Sequence, residues 1–213
     1  MDTPAATEAS APGPSIDPRV MYERAADQMA TLFASVRPGQ FADPTPCDEF
    51  DVGALMSHVV GGTHRVAQVG EGGGAAEPFP DSGVDSGISG VPDDGWPEAY
   101  ARSRERFTAA WAEDAKLDTV VTVPWGSMPG RFALAGSVME VVTHSWDLAQ
   151  ALGRSEGLDE ELAEFALGAA RQALPPERRG SEVPFGPVLS APEGAGVYGE
   201  LAAWLGRRPG WGS

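Results

Sequence analysis

The chain has 213 residues, of which 42% are hydrophobic, enough for one domain around a single core. Acidic side chains outnumber basic ones by 31 to 15, and a formal net charge of −16 repels phosphate backbones and anionic membrane surfaces. A single cysteine excludes an internal disulfide framework, and the sequence lacks both a signal peptide and an apolar run of the roughly 20 residues that span a bilayer. We therefore expect a cytoplasmic protein with no nucleic-acid or membrane partner.

The N-terminal part predicts a tail followed by a helix. Residues 1–17 are rich in proline and small side chains, so we expect a disordered tail, with a single domain over 18–213. Pro18 suits the first turn of a helix, and apolar residues then recur at helical spacing until Pro38 ends the pattern. This spacing predicts the first helix.

Two more helices are predicted on either side of a long loop. Asp51 is a candidate N-cap for a second helix that ends before Gly70. The stretch 70–95 is acidic and rich in glycine without periodicity, which is typical of a lid or of a passive insertion. A third helix is predicted over 96–115.

The second half of the chain predicts a hairpin and further helices. Alternating β-branched residues before Pro124, followed by glycines that suit turns, indicate a short β-hairpin. A fourth helix is predicted over 133–152 and is closed by Gly153. Two more helices are predicted at 159–174 and 197–205, with a loop or strand at 185–189 between them. The expected fold is all-α, an up-down four-helix bundle with a small hairpin and additional C-terminal helices.

Three residues on the second and fourth helices are candidates for a metal site. Glu140 and His144 are four residues apart, so their side chains project from adjacent turns of one helix face. His58 lies in the apolar run of the second helix. Burying a carboxylate beside two imidazoles is costly unless something pairs with them, and a divalent metal would do so. Two histidines and one carboxylate suit zinc or another first-row ion with open positions.

The same residues also allow a simpler interpretation. A Glu–His pair at this spacing can merely stabilise its helix, and a lone histidine among apolar residues is often a hydrogen-bonded core residue. The third histidine, His64, lies on a different helical face from His58 and is expected to be an ordinary exposed or loop-proximal residue.

Two segments resemble the signatures of the mycothiol-dependent maleylpyruvate isomerase-like proteins, which are DinB-like metal-binding four-helix bundles. These segments are PTPCDEFDVGALMSHVVGG (44–62) and THSWDLAQALG (143–153), and the ending WLGRRPGW is similar to the close of an actinobacterial subgroup. The resemblance implies a DinB-like bundle in which His58, Glu140 and His144 hold a divalent metal, Zn²⁺ or else Ni²⁺ or another first-row ion. One departure is Phe50, where the family commonly has tryptophan.

The resemblance also implies a function, a metal-dependent thiol-linked enzyme of the mycothiol-dependent isomerase or S-transferase type. Its cofactors would be the metal and mycothiol, and its partners a small-molecule substrate and a low-molecular-weight thiol, with the chain a monomer or homodimer. Two alternatives are a hydrolase that uses metal-bound water and a non-catalytic metal-binding regulatory protein.

Four further residues are candidates for roles around the metal. Asp147 shares the helical face of Glu140 and His144 and could orient an imidazole by accepting its other N–H, or else bind nearby backbone. Arg65, two turns after His58, could bind a substrate carboxylate or form an ion pair with a surface partner. Trp125, in the predicted hairpin turn, could wall the pocket and contact a cofactor. Cys47 precedes two acidic residues that would raise the pKa of its thiol and lower its reactivity, so we interpret it as structural.

Overall fold

The computed structural model describes residues 16–73, 87–123, 125–154, 156–179 and 185–211. These residues form seven α-helices and one antiparallel hairpin in the order α1 (Pro18–Phe33), α2 (Val52–Gly70), α3 (Trp96–Ala110), α4 (Ala115–Asp118), β1 (Val120–Val123), β2 (Gly126–Pro129), α5 (Gly130–Ala151), α6 (Glu160–Ala173) and α7 (Gly196–Trp204). Most of the predicted tail and the centre of the predicted glycine-rich loop lie outside the described residues.

Four long helices form the bundle. α1 packs against α5 and α3, and α2 packs against the same two helices. The two helices that are consecutive in sequence therefore lie at opposite corners, and the linker 34–51 runs between them. α6 packs on α5, and α7 packs on α6. The predicted all-α, DinB-like four-helix bundle with a hairpin and extra C-terminal helices is confirmed, and no described helix is long and apolar enough to cross a membrane.

Aspartate side chains cap three helix starts. Asp17, Asp51 and Asp159 each accept a hydrogen bond from a backbone N–H two or three residues later, which satisfies one of the free donors of the first turn. The prediction for Asp51 is confirmed. Asp17, which the sequence pattern placed in the tail, is the N-cap of α1 and so belongs with the folded domain.

Three helix boundaries differ from the predicted ones by three or more residues. α1 ends at Phe33, because the Ser35 hydroxyl donates to the Leu32 carbonyl (2.7 Å) and closes the last turn. α3 ends at Ala110, where Trp111 leaves the helix and its Nε1–H donates to the Val66 carbonyl (3.1 Å). α5 begins at Gly130, three residues early, because its N–H donates to the Thr119 carbonyl (2.9 Å) directly after the hairpin. The stretch 185–189 is a loop.

The core contains a stack of aromatic rings between α1 and α3. Tyr22 and Phe107 lie nearly parallel with ring centroids 3.6 Å apart, and Phe33 lies 4.9 Å from Tyr100. All four rings are buried, so each contributes a large apolar area to the contact between the two helices.

We expect Phe107→Ala to lower the free energy of unfolding by about 3–5 kcal/mol, because it removes a buried ring and leaves a cavity. Val20→Ala on the exposed face of α1 is the control and should change stability by less than about 0.5 kcal/mol. Denaturant unfolding of the two variants measures both values. Equal stability of the two variants would show that the ring stack contributes little.

Candidate metal centre

The three predicted ligand residues meet between α2 and α5. Their candidate donor atoms all lie within 4.8 Å of one another. Oε1 of Glu140 lies 2.8 Å from Nε2 of His58 and 3.1 Å from Nε2 of His144. The two imidazole rings are 5.0 Å apart and nearly perpendicular. Both Nε2 atoms therefore point at the same carboxylate oxygen.

The cluster is closed on one side and open on the other. The side chains of His144 and His58 are 4% and 12% exposed, whereas the side chain of Glu140 is 36% exposed. A small molecule can therefore approach the carboxylate from solvent, while the imidazoles lie beneath it.

Asp147 holds the far side of the His144 ring. Its carboxylate is wholly buried, and Oδ2 accepts a hydrogen bond from Nδ1 of His144 at 2.9 Å. With Nδ1 engaged in this way, the Nε2 atom of His144 faces Glu140 and His58. This is the arrangement in which an outer carboxylate fixes the orientation of a ligand imidazole.

Arg207, from the segment after α7, completes the chain of contacts. Its Nε–H donates to both carboxylate oxygens of Asp147, at 3.0 and 3.1 Å. No spacing rule links two residues that lie 60 positions apart on different elements, so the sequence pattern did not identify Arg207. Arg207 lies in the GRR run of the ending WLGRRPGW, in which one of two arginines is buried.

The charges of these residues shift one another's pKa values. Burial opposes ionisation of Glu140, but the charge and hydrogen bonds of His144, together with His58, hold its pKa well below the usual range. Burial likewise opposes the charge of His144, yet the Glu140 and Asp147 carboxylates raise its pKa to about 9. The pKa of Asp147 is lowered by Arg207 and His144 against the effect of burial, and that of Arg207 is raised by Asp147 in the same way. A cation arriving at Glu140 thus meets an ionised carboxylate, and it competes with the proton on His144.

The linker between α1 and α2 covers the imidazoles. The buried ring of Phe50 lies 4.7 Å from the His58 ring and 6.1 Å from the His144 ring. The Thr45 hydroxyl donates to the Phe50 carbonyl at 2.7 Å and fixes this turn. Cys47 belongs to the same turn, and burial raises the pKa of its thiol to about 12, so the thiol is not a nucleophile at neutral pH.

Trp125 packs on α5 one helical turn before Glu140. Its half-exposed indole packs on α5 at Gly136, where an added Cβ would approach the ring to 3.3 Å. Gly136 is one helical turn before Glu140, so the absence of a side chain there lets the indole pack on the face of α5 that also carries Glu140.

The other two predicted residues lie further along α2. Arg65 is half-buried, with its pKa lowered by burial, and lies seven residues beyond His58, roughly 10 Å along the helix axis. Its role as a substrate grip stays a prediction. Nε2 of His64 lies 2.8 Å from Nη1 of Arg106, and Arg106 also pairs with Glu71. His64 therefore belongs to a separate surface cluster.

The chain is similar to several known proteins. A family model described as the mycothiol maleylpyruvate isomerase N-terminal domain matches residues 22–149. Uncharacterized proteins from two strains of Mycobacterium tuberculosis are each 36% identical over 192 residues, which is 90% of this chain and 98% of theirs. The crystal structure of the mycothiol-dependent maleylpyruvate isomerase matches with a TM-score of 0.49 and 14% identity, over 65% of this chain and 65% of that one.

We expect Asp147→Ala to destabilise the protein by about 3–5 kcal/mol, because it leaves the buried Arg207 without its carboxylate. Glu98→Ala is the matched control, since it breaks the exposed ion pair with Arg102 and should cost no more than about 0.5 kcal/mol. Denaturant unfolding in metal-free buffer measures both. Similar losses for the two variants would contradict the importance of the buried pair.

Proposed function

The chain belongs to the family of mycothiol maleylpyruvate isomerase N-terminal domains, and on that premise we propose that it is a metal-dependent, mycothiol-linked enzyme of the isomerase or S-transferase type. The observation that supports this most is the convergence of His58, Glu140 and His144 within 4.8 Å, at a carboxylate that remains open to solvent. A family match gives the class of chemistry, whereas the reaction depends on the groups around the site.

The donor set fits a divalent first-row ion, and Zn²⁺ is our first choice, with Ni²⁺ as the alternative. Two imidazole nitrogens and one carboxylate oxygen form a ligand set that zinc takes in sites with open positions. His58, Glu140 and His144 would hold the ion, and Asp147 keeps the Nε2 atom of His144 turned toward it. When bound, the ion would supply the positive charge that favours the thiolate form of a thiol at neutral pH.

Residues of the chain would have separate roles around the proposed centre. Phe50 covers the imidazole rings, while the Glu140 side chain, which is 36% exposed, remains accessible to solvent. Trp125 offers a flat apolar surface one turn away, suited to a conjugated substrate or to part of a thiol cofactor. Arg65 is the candidate partner for a substrate carboxylate.

When bound, mycothiol would supply a thiol for reversible addition to an activated double bond, the chemistry by which such a bond is isomerised. A substrate from which the thiol does not leave would instead end as an S-conjugate. Which outcome occurs would depend on how the groups around Trp125 hold a substrate, because they affect whether the thiol is eliminated.

Metal content tests the proposal directly. Protein depleted of metal and titrated with Zn²⁺ should bind about one equivalent, and His144→Ala should lose this binding. His64→Ala is the matched control, since His64 contacts Arg106 rather than the cluster, and it should bind zinc as the wild type does. A full equivalent of zinc in the His144→Ala protein would place the metal elsewhere.

The same proteins then test turnover. Zinc-loaded wild type and His64→Ala should convert maleylpyruvate or a related activated alkene only when mycothiol is added, and His144→Ala should show no conversion. Product analysis separates isomerisation from S-conjugation. Zinc binding without thiol-dependent turnover of any alkene in such a screen would favour the non-catalytic metal-binding alternative.

We expect Trp125→Ala to raise the KM for the alkene or for mycothiol by roughly three- to tenfold, the effect of losing one aromatic contact. Zinc content should stay unchanged, because Trp125 touches none of the three ligand residues in the described contacts. Val120→Ala, an exposed apolar position in the same hairpin, is the control and should leave KM unaltered. An unchanged KM in Trp125→Ala would remove the indole from the binding surface.

A further inference from the structure

α7 ends in a turn that directs the Arg207 side chain into the protein. The N–H of Gly206 donates to the Ala203 carbonyl (3.1 Å), and the N–H of Arg207 donates to the Ala202 carbonyl (2.9 Å). With φ of +81° at Gly206, these bonds form the Schellman arrangement that ends a helix at a glycine. A Cβ at Gly206 would also meet the Cα of Gly186 at 2.7 Å, so a side chain has no space there.

The turn separates two neighbouring arginines. Arg207 is 8% exposed and reaches Asp147, whereas Arg208, the next residue, is exposed. The side chain of Arg207 also contacts the Leu205 carbonyl through Nη1 at 3.5 Å, which helps to fix its position. The C-terminal segment thus delivers one guanidinium to the interior of the bundle.

The geometry of the contact constrains Asp147. Because the Nε–H of Arg207 lies between both carboxylate oxygens, at 3.0 and 3.1 Å, the carboxylate is held against rotation about its terminal torsion, which is otherwise soft. One of those oxygens, Oδ2, accepts from Nδ1 of His144. A constraint on the carboxylate plane is therefore passed to the imidazole ring.

We propose that Arg207 is a positioning residue of the metal centre: acting through Asp147, it holds the His144 ring so that Nε2 faces Glu140 and His58. The proposal rests on the proposed function only for the identity of the ion that the His144 ring would bind. It adds a residue from the C-terminal segment, beyond the 22–149 region that the family model matches.

The test compares three full-length variants with the wild type. Arg207→Met removes the guanidinium, Arg207→Lys keeps a positive charge but replaces the planar, fixed N–H with a freely rotating ammonium, and Arg208→Met removes the exposed neighbour as the matched control. Zinc affinity is measured by competition with a chromogenic chelator, and the thermal midpoint of each metal-free protein shows whether it is folded.

We expect Arg207→Met to bind zinc about 10- to 100-fold more weakly, the usual effect of losing a group that orients a ligand. Arg207→Lys should remain folded, because it retains the buried charge pair, and should still bind more weakly than the wild type. Arg208→Met should match the wild type. If Arg207→Lys restored wild-type affinity, charge compensation alone would suffice and the positioning role would be overturned.

A second readout needs no metal. In protein labelled with ¹⁵N-histidine, the Nδ1–H proton of His144 should give a protected NMR signal in the wild type and Arg208→Met, and should exchange rapidly in both Arg207 variants. A wild type that binds no zinc would defeat the proposed function, yet this signal would still report on Arg207. Persistence of the protected signal in folded Arg207→Lys would overturn the inference.

Discussion

The structure depends on one electrostatic constraint, an ionised carboxylate held against two imidazoles where α2 meets α5. Glu140 lies within hydrogen-bonding distance of both His58 and His144, and a charged group partly withdrawn from water is stable only when such partners are present. α2 and α5 must therefore stay at the spacing that this contact sets. Phe50, placed by the linker, then seals the imidazoles from solvent and strengthens the same interactions.

The buried Asp147–Arg207 pair limits the negative charge of this cluster. Asp147 adds a carboxylate next to His144, and without compensation two carboxylates would compete for one imidazole. Arg207 offsets that charge from the other side, so Asp147 can orient the ring while the local charge stays balanced. The residues that would support the proposed metal site thus also stabilise the junction between the bundle and its C-terminal segment.

Local features of this structure were predictable and distant ones were not. The cap at Asp51, the hairpin and the shared face of Glu140 and His144 depend on residues a few positions apart, which periodicity and capping preferences describe. The end of α3 depends on a bond from Trp111 to a carbonyl on α2, which no local pattern contains. Arg207 and Arg208 are equivalent in sequence, and only the turn at Gly206 decides which is buried.

The two sides of the candidate site carry different kinds of information about function. Beneath Glu140, the imidazoles and the Asp147–Arg207 pair would determine which ion the proposed site holds, and the same arrangement would serve an isomerase, a transferase or a hydrolase. The partly exposed Glu140 side chain and the Trp125 indole on Gly136 would determine which molecule can approach. Relatives that share the lower side can therefore differ in reaction, because substrate choice depends on residues that the ligand set leaves unconstrained.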